Sequence, residues 1–127
     1  MSAQQGQTLD QKMAQTARQT VSRRKGKDYR NACEALPPLL MQCGLLPVLA
    51  WLGSSKQTCL KELREDMLQH LSNLGYGKNS AIEHWLREAS SAEYQVCFEL
   101  ALRAAVWQKR MAKALIPKES TSENTGA

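Results

Sequence analysis

Two groups of basic residues are the side chains in this sequence whose type and spacing best suit a chemical task, the binding of phosphate groups. The first group contains Arg18, Arg23, Arg24, Lys25, Lys27 and Arg30, and the second contains Arg103, Lys109, Arg110 and Lys113. Because each Lys or Arg that meets a phosphate releases condensed counterions, a nucleic-acid backbone is the natural partner for such groups. The alternative is that these cations only offset the macrodipole at helix C-termini.

The net charge of +5 is concentrated at the two ends of the chain. Residues 1–31 carry seven Lys or Arg and two Asp (+5), residues 32–102 carry five and eight acids (−3), and residues 103–127 carry five and two Glu (+3). If the first and last helices pack side by side, they form one positive face while the middle of the chain forms an acidic one. Few aromatic residues are expected to be exposed for base stacking, so contacts would follow shape and charge.

The sequence offers little for catalysis or metal binding. His70 and His84 are fourteen residues apart and belong to no metal-ligand motif, so both are interpreted as surface or helix-face residues. Glu62, Glu65 and Asp66 cluster on one predicted helix, where flanking cations favour a solvated face. No glycine-rich phosphate loop or nucleophile motif is present. We therefore predict no catalytic residue, no metal and no cofactor.

The four cysteines indicate a reducing compartment. Cys33, Cys43, Cys59 and Cys97 are 10, 16 and 38 residues apart, and no pair has the C-x-x-C spacing of a metal or redox site. Each falls on an apolar helical face, and no signal peptide precedes them. They are interpreted as reduced core thiols in a cytoplasmic protein.

These candidate residues must be positioned by a core, and the stretch from Leu36 to Leu52 predicts where that core lies. Its 17 residues, LPPLLMQCGLLPVLAWL, are almost entirely apolar, so we expect water to be excluded from nearly every position. It is shorter than a membrane span and is interrupted by prolines whose freed carbonyls lipid cannot satisfy. We predict two short helices that meet at a corner, with Gly44 ending the first and Pro47 in the opening turn of the second.

The remaining patterns predict helices and no strands. Capping boxes are predicted at Thr8, Ser80 and Ser90, Asp28 is a candidate cap for the second helix, and Pro117 ends the last. The fold class is therefore all-α, a compact bundle of about six helices around a bent, proline-containing apolar central helix pair. Residues 8–116 form the single domain, and residues 1–7 and 117–127 are expected to be disordered.

The order of four segments resembles a known family. Tyr29, LPPLL at residues 36–40, GLLPVLAWL at 44–52 and WQKRMA at 107–112 follow one another as in the small all-helical subunit of type III-B CRISPR effectors, the Cmr RNA-targeting complexes. Each segment alone is a packing pattern, but their order and spacing are fairly specific. Pro47 and Trp51 depart from the family pattern, which more often has a polar residue and phenylalanine there.

The resemblance implies a non-catalytic antiviral subunit that stacks in a few copies beside the guide-binding backbone subunits. Its implied partners are the backbone and large subunits, copies of itself, and guide and target RNA, with no membrane and no small molecule. The nine candidate RNA contacts are Arg18, Arg23, Arg24, Lys25, Lys27, Arg103, Lys109, Arg110 and Lys113. A generic helical adaptor that binds protein but no nucleic acid is the alternative.

Overall fold

The structure is a computed structural model that describes residues 7–77 and 80–118. Within these ranges the chain forms six helices and no strands. The helices are α1 (Leu9–Val21), α2 (Lys27–Cys43), α3 (Leu45–Ser54), α4 (Thr58–Asn73), α5 (Ser80–Glu88) and α6 (Ser91–Leu115). The all-α prediction is confirmed. The expected disordered ends lie outside the described residues, apart from Gln7 and residues 117–118.

The helix ends follow from local hydrogen bonding. Thr8 and Ser90 each form the predicted capping box, in which the cap hydroxyl accepts from the third residue's N–H and that residue's side chain accepts in return. Asp28 does not cap α2, as the sequence had suggested. Gly26 occupies the cap position at φ 94°, a conformation open to glycine, and Asp28 lies in the first turn. The predicted cap at Ser80 lies outside the described side chains.

The apolar stretch forms the two predicted helices. α2 continues through Pro37 and Pro38, and Gly44 separates it from α3 at φ 89° and ψ 167°. Pro47 is the third residue of α3, where a missing N–H removes no helical hydrogen bond. The expectation that water is excluded from almost all of this stretch is wrong, because Met41 is 71% exposed and Trp51 is 50% exposed.

The long helix α6 runs through the bundle and contacts α2 and α1 most extensively. α2 and α6 are antiparallel, since Tyr29 near the start of α2 contacts Gln108, while Leu46 just beyond its end contacts Tyr94. The Tyr94 hydroxyl accepts a hydrogen bond from the Leu46 N–H at 3.0 Å, which satisfies one free donor at the start of α3. The core therefore lies between α6 and the proline-containing pair.

The cysteines differ more than the sequence suggested. All four are free thiols, and Cys33 and Cys97 are buried as expected. Burial raises the pKa of Cys33 to about 12 and that of Cys97 to about 11, which keeps both in the unreactive thiol form. Cys43 is exposed, so it is not a core thiol.

No helix in the described part of the chain combines the length and the apolar character that crossing a membrane requires.

Candidate nucleic-acid interface

The first and last helices lie side by side, which is the arrangement that a shared basic face requires. Arg103 on α6 donates to the Asp10 carboxylate at the start of α1 at 3.0 Å, and the Trp107 indole N–H donates to the same oxygen at 3.1 Å. These two donors, Trp107 foremost, lower the pKa of Asp10. The Arg110 guanidinium lies 5.3 Å from the centre of the Trp107 ring, a cation–π distance. Two members of the second basic group, Arg103 and Arg110, therefore lie near the start of α1.

The first basic group lies at the other end of α1, in the turn of residues 22–26 that joins it to α2. Thr20 before the turn and Tyr29 after it both accept hydrogen bonds from the Gln108 amide, each at 2.8 Å. The chain therefore enters and leaves this turn close to Gln108 on α6. Lys109 is the next residue of that helix. Because α1 has 13 residues, each rising about 1.5 Å, about 20 Å separate this turn from the Asp10 end.

The basic side chains differ in how freely they meet solvent. Arg18, Arg23, Lys25, Lys27, Arg103, Arg110 and Lys113 are exposed, and Lys109 is half-buried. Arg24 is only 14% exposed and Arg30 is buried, with its Nε 3.3 Å from the Glu34 carboxylate. The nine proposed RNA contacts remain a prediction, but the structure gives Arg24 a different environment from the other eight.

Arg24 forms a two-pronged contact with a buried carboxylate. Its Nε donates to one oxygen of Asp66 at 3.0 Å and its Nη2 donates to the other at 2.7 Å, a geometry that suits guanidinium and carboxylate. Glu62 and Glu65 lie 3.5 and 3.3 Å from the same guanidinium. The hydrogen bonds to Asp66 raise the pKa of Arg24 further, so it stays charged. Its charge is consequently balanced within the protein.

The Asp66 carboxylate belongs to a buried hydrogen-bond chain that crosses the bundle. The Tyr29 hydroxyl donates to Asp66 and accepts from Gln108, whose amide oxygen accepts from the His70 Nε2 at 2.7 Å. In this hydrogen bond the proton must be on Nε2 of His70, because the amide oxygen of Gln108 carries no proton to donate. Burial lowers the pKa of His70 and raises that of Tyr29, so both are neutral near pH 7.

Two interpretations from sequence are therefore wrong. His70 is 1% exposed rather than on the surface, and Asp66 is 1% exposed rather than part of a solvated acidic face. The sequence contained a pattern that predicts their burial. Leu63, Asp66 and His70 are spaced by three and four residues, so they lie on the same side of α4, which is buried. His84 is exposed, as expected. Among the described residues, no three His, Cys, Asp or Glu side chains are placed to share a metal ion.

The exposed cations lie beside two helix starts that carry no side-chain cap. α2 begins at Lys27 after Gly26, and α4 begins at Thr58 after Gln57; neither cap residue accepts from the helix with its side chain. An open cleft of about 560 Å³ lies between them, and it is lined by Lys25 and Lys27 and also by the Asp28 and Glu62 carboxylates. Uncapped helix starts present N–H donors and a partial positive charge, both of which suit phosphate oxygens.

The chain matches known proteins over almost all of its described length. The model of the family described as CRISPR-associated protein (Cas_Cmr5) matches residues 9–115. The CRISPR system Cmr subunit Cmr5 of Thermus thermophilus is 33% identical over 110 residues, which cover 87% of this chain and 94% of that protein. The crystal structure of a CRISPR-associated Cmr5 family protein from the same species matches with a TM-score of 0.77 at 35% identity, covering 87% of this chain and 99% of that one.

These matches confirm the family resemblance drawn from Tyr29 and the three motif segments. The structural match also confirms the fold. The chain belongs to the Cmr5 family and is a small subunit of type III-B CRISPR Cmr complexes, with other Cmr subunits as its partners.

Proposed function

We propose that this protein is a non-catalytic, cytoplasmic small subunit that stacks head to tail in a few copies and stabilises guide and target RNA through its basic surface. The observation that carries the proposal is the placement of the exposed turn at residues 22–26. It is held beside α6 by hydrogen bonds from Gln108 and presents Arg23 and Lys25 to solvent, and Lys25 lines the cleft between the two uncapped helix starts.

Phosphate binding follows from the charges at this end of the molecule. Arg23 is 62% exposed although its Nη2 lies 4.0 Å from an Asp66 oxygen, so most of its side chain is open to a backbone phosphate. The helix starts add donors that need no side-chain reorganisation. Arg103 and Arg110 supply a second cationic position about 20 Å away along α1. Two separated positions suit a polymer of phosphates better than a small anion.

The stacking proposal rests on the uneven charge and on an uncharged corner. Residues 35–55 contain no charged side chain, and Met41 and Trp51 project from this segment into solvent. Although Arg64 of α4 donates to the Leu49 carbonyl, exposed apolar side chains on a stretch that carries no charge of its own are typical of a surface that another protein covers. The acidic middle of the chain, where Glu65 is 70% exposed, offers a partner for the basic end of the next copy.

A fourfold charge reversal tests the RNA contact. The variant carries Arg18→Glu, Arg23→Glu, Arg103→Glu and Arg110→Glu, and it spares Arg24 because that side chain is bonded to buried Asp66. The RNA recovered per mole of assembled complex is expected to fall, and the dependence of binding on salt is expected to flatten by about 0.7 per lost contact.

A matched control separates local contacts from overall charge. Reversing four other exposed cations changes the net charge by the same amount and should leave RNA recovery near that of the wild type; these are Lys12, Lys56, Lys61 and Arg87. If both variants assemble and retain RNA equally, the protein is a helical adaptor without a nucleic-acid contact. Cleavage of RNA by the purified chain alone would overturn the non-catalytic assignment.

A further inference from the structure

The turn between α1 and α2 combines exposed cations with one that is directed inward. Arg23 is 62% exposed, and its Nη2 lies 4.0 Å from one Asp66 oxygen, whereas Arg24, the next residue, is 14% exposed and bonds both oxygens of Asp66 on α4. Within the turn, the Arg23 and Arg24 N–H groups donate to Thr20 and Val21 carbonyls at 3.2 and 2.9 Å. These local bonds shape the turn and Gln108 holds the residues on either side of it, but within the turn itself the contact to another helix is made by Arg24.

That contact is made to a carboxylate that is itself held rigidly. Asp66 is 1% exposed and accepts two hydrogen bonds from Arg24 and one from Tyr29. Tyr29 is in turn held by Gln108. A carboxylate fixed by three donors in a buried place aims the guanidinium, and a buried charge without its partner is strongly unfavourable.

We propose that Asp66 and Arg24 are positioning residues that anchor the turn, so that RNA binding by Arg23 and Lys25 depends on a carboxylate that touches no RNA. This inference rests on the proposed function, because it takes the exposed turn as the RNA contact. It assigns Arg24 a different task from the other eight candidate residues, since the Arg24 guanidinium faces Asp66.

Long-range electrostatics and anchoring of the turn predict opposite changes in RNA binding for the substitution Asp66→Asn. Asp66→Asn removes one negative charge and raises the net charge from +5 to +6, so long-range attraction alone predicts tighter binding to RNA. Anchoring predicts weaker binding, because the turn and its cations lose their fixed position. The sign of the change therefore decides between the two explanations.

The RNA measurement compares three assembled complexes that contain wild-type protein, Asp66→Asn or Glu88→Gln. Glu88 is an exposed carboxylate at the end of α5, so its variant makes the same change in charge far from the turn. The RNA recovered per mole of complex is expected to fall at least about threefold for Asp66→Asn and to stay level or rise for Glu88→Gln. An increase for Asp66→Asn would overturn the proposal.

Limited digestion with trypsin tests the anchor without reference to RNA. Trypsin cleaves after Lys and Arg, so it reports opening of the turn at residues 23–27, while sites at Lys109 and Arg110 within α6 report general unfolding. At a temperature where circular dichroism shows full helicity, Asp66→Asn should speed cleavage in the turn by about tenfold and cleavage in α6 far less. Equal acceleration at both places would show a merely structural role and overturn the proposal.

A second variant covers the case in which Asp66→Asn does not fold. Arg24→Lys keeps the net charge and one donor but loses the fork that binds both oxygens of Asp66, and it is expected to open the turn in the same selective way. An unchanged digestion pattern in this variant would overturn the anchor. Selective opening with unchanged RNA recovery would instead confirm the anchor and show that the turn is not the RNA contact, which is a failure of the proposed function.

Discussion

The two basic groups use the same residue types but are held in opposite ways. At the turn, Arg24 meets Asp66, which is 1% exposed; at the start of α1, Arg103 meets Asp10, and both of these side chains are at least half exposed. Both pairs are 2.7 to 3.0 Å long, so distance does not distinguish them. Their surroundings do, because water screens the second pair and not the first.

The difference shows that a count of ion pairs says little about what holds this fold together. An exposed pair contributes at most about 1 kcal/mol, since solvent competes with each partner. A buried pair is costly to form and much more costly to break, because removal of one partner leaves an uncompensated charge. The exposed turn is thus tied to a buried carboxylate, whereas both partners of the pair at Asp10 lie on the surface.

The largest expected effect comes from removing the buried carboxylate. Asp66→Ala leaves Arg24 and the Tyr29 hydroxyl without their shared acceptor and should lower the free energy of unfolding by about 3 kcal/mol. Urea denaturation followed by circular dichroism measures this loss. Glu65→Ala is the control, because Glu65 contacts the same guanidinium from a position that is 70% exposed and should change stability little. Equal losses in the two variants would remove the distinction between the regions.

The next largest effect on stability tests whether buried hydrogen bonds other than those of the Arg24–Asp66 pair also stabilise the fold. Gln108→Ala removes the amide that links Thr20, Tyr29 and His70 and should cost about 2 kcal/mol, because buried polar groups are left unpaired. Gln95→Ala is the matched control on the same helix, where the amide is exposed and bonds only along the helix to Glu99. The same denaturation measurement applies, and a loss confined to Gln95 would contradict the network.

The sequence predicted the elements of this fold better than the chemistry between them. Capping boxes at Thr8 and Ser90, and glycine at position 44, are local signals, and each marks a helix boundary in the structure. Whether a carboxylate on α4 is solvated depends on which residues from other parts of the chain pack against it. Arg24 is 42 residues away along the chain, so no local pattern announces the pair with Asp66.

The candidate site was predictable in composition and not in detail. A shared basic face required α1 and α6 to pack side by side, and the bond from Arg103 to Asp10 shows that they do. The same reasoning treated every cation as equally available. Burial separates Arg24 from Arg23 although they are adjacent in sequence, because only tertiary packing decides which side chain of a turn points inward.

A smaller effect is the pH dependence of stability that buried His70 should cause. Because burial lowers the pKa of His70 in the folded protein below its ordinary 6.5, the unfolded chain binds more protons as the pH falls through 6.5. Stability should therefore decrease below pH 6.5, by no more than about 1.4 kcal/mol per pH unit and only until the folded pKa is passed, and be unaffected by this residue above 6.5. His70→Gln should reduce that slope and His84→Gln, at an exposed position, should not. Parallel slopes for the wild type and His70→Gln would contradict the assignment.

The smallest effect on stability is expected for Asp10→Asn. This substitution should change RNA recovery in the opposite direction to Asp66→Asn, so it tests the difference between the two basic groups directly. Asp10→Asn removes the exposed negative charge beside Arg103 and Trp107 but keeps an acceptor oxygen, so the midpoint of urea unfolding should not change measurably. Arg103 then no longer shares its charge with a carboxylate, and RNA recovery with the assembled complex should rise.

The reason for the opposite signs is where each arginine points. A carboxylate that competes with phosphate for an exposed arginine weakens RNA binding, whereas a carboxylate that fixes a turn strengthens it. Arg103→Gln combined with Asp10→Asn is the control, since the gain should disappear when the released cation is also removed. If Asp10→Asn and Asp66→Asn change RNA recovery in the same direction, overall charge governs binding, and the two basic groups differ only in their contribution to stability.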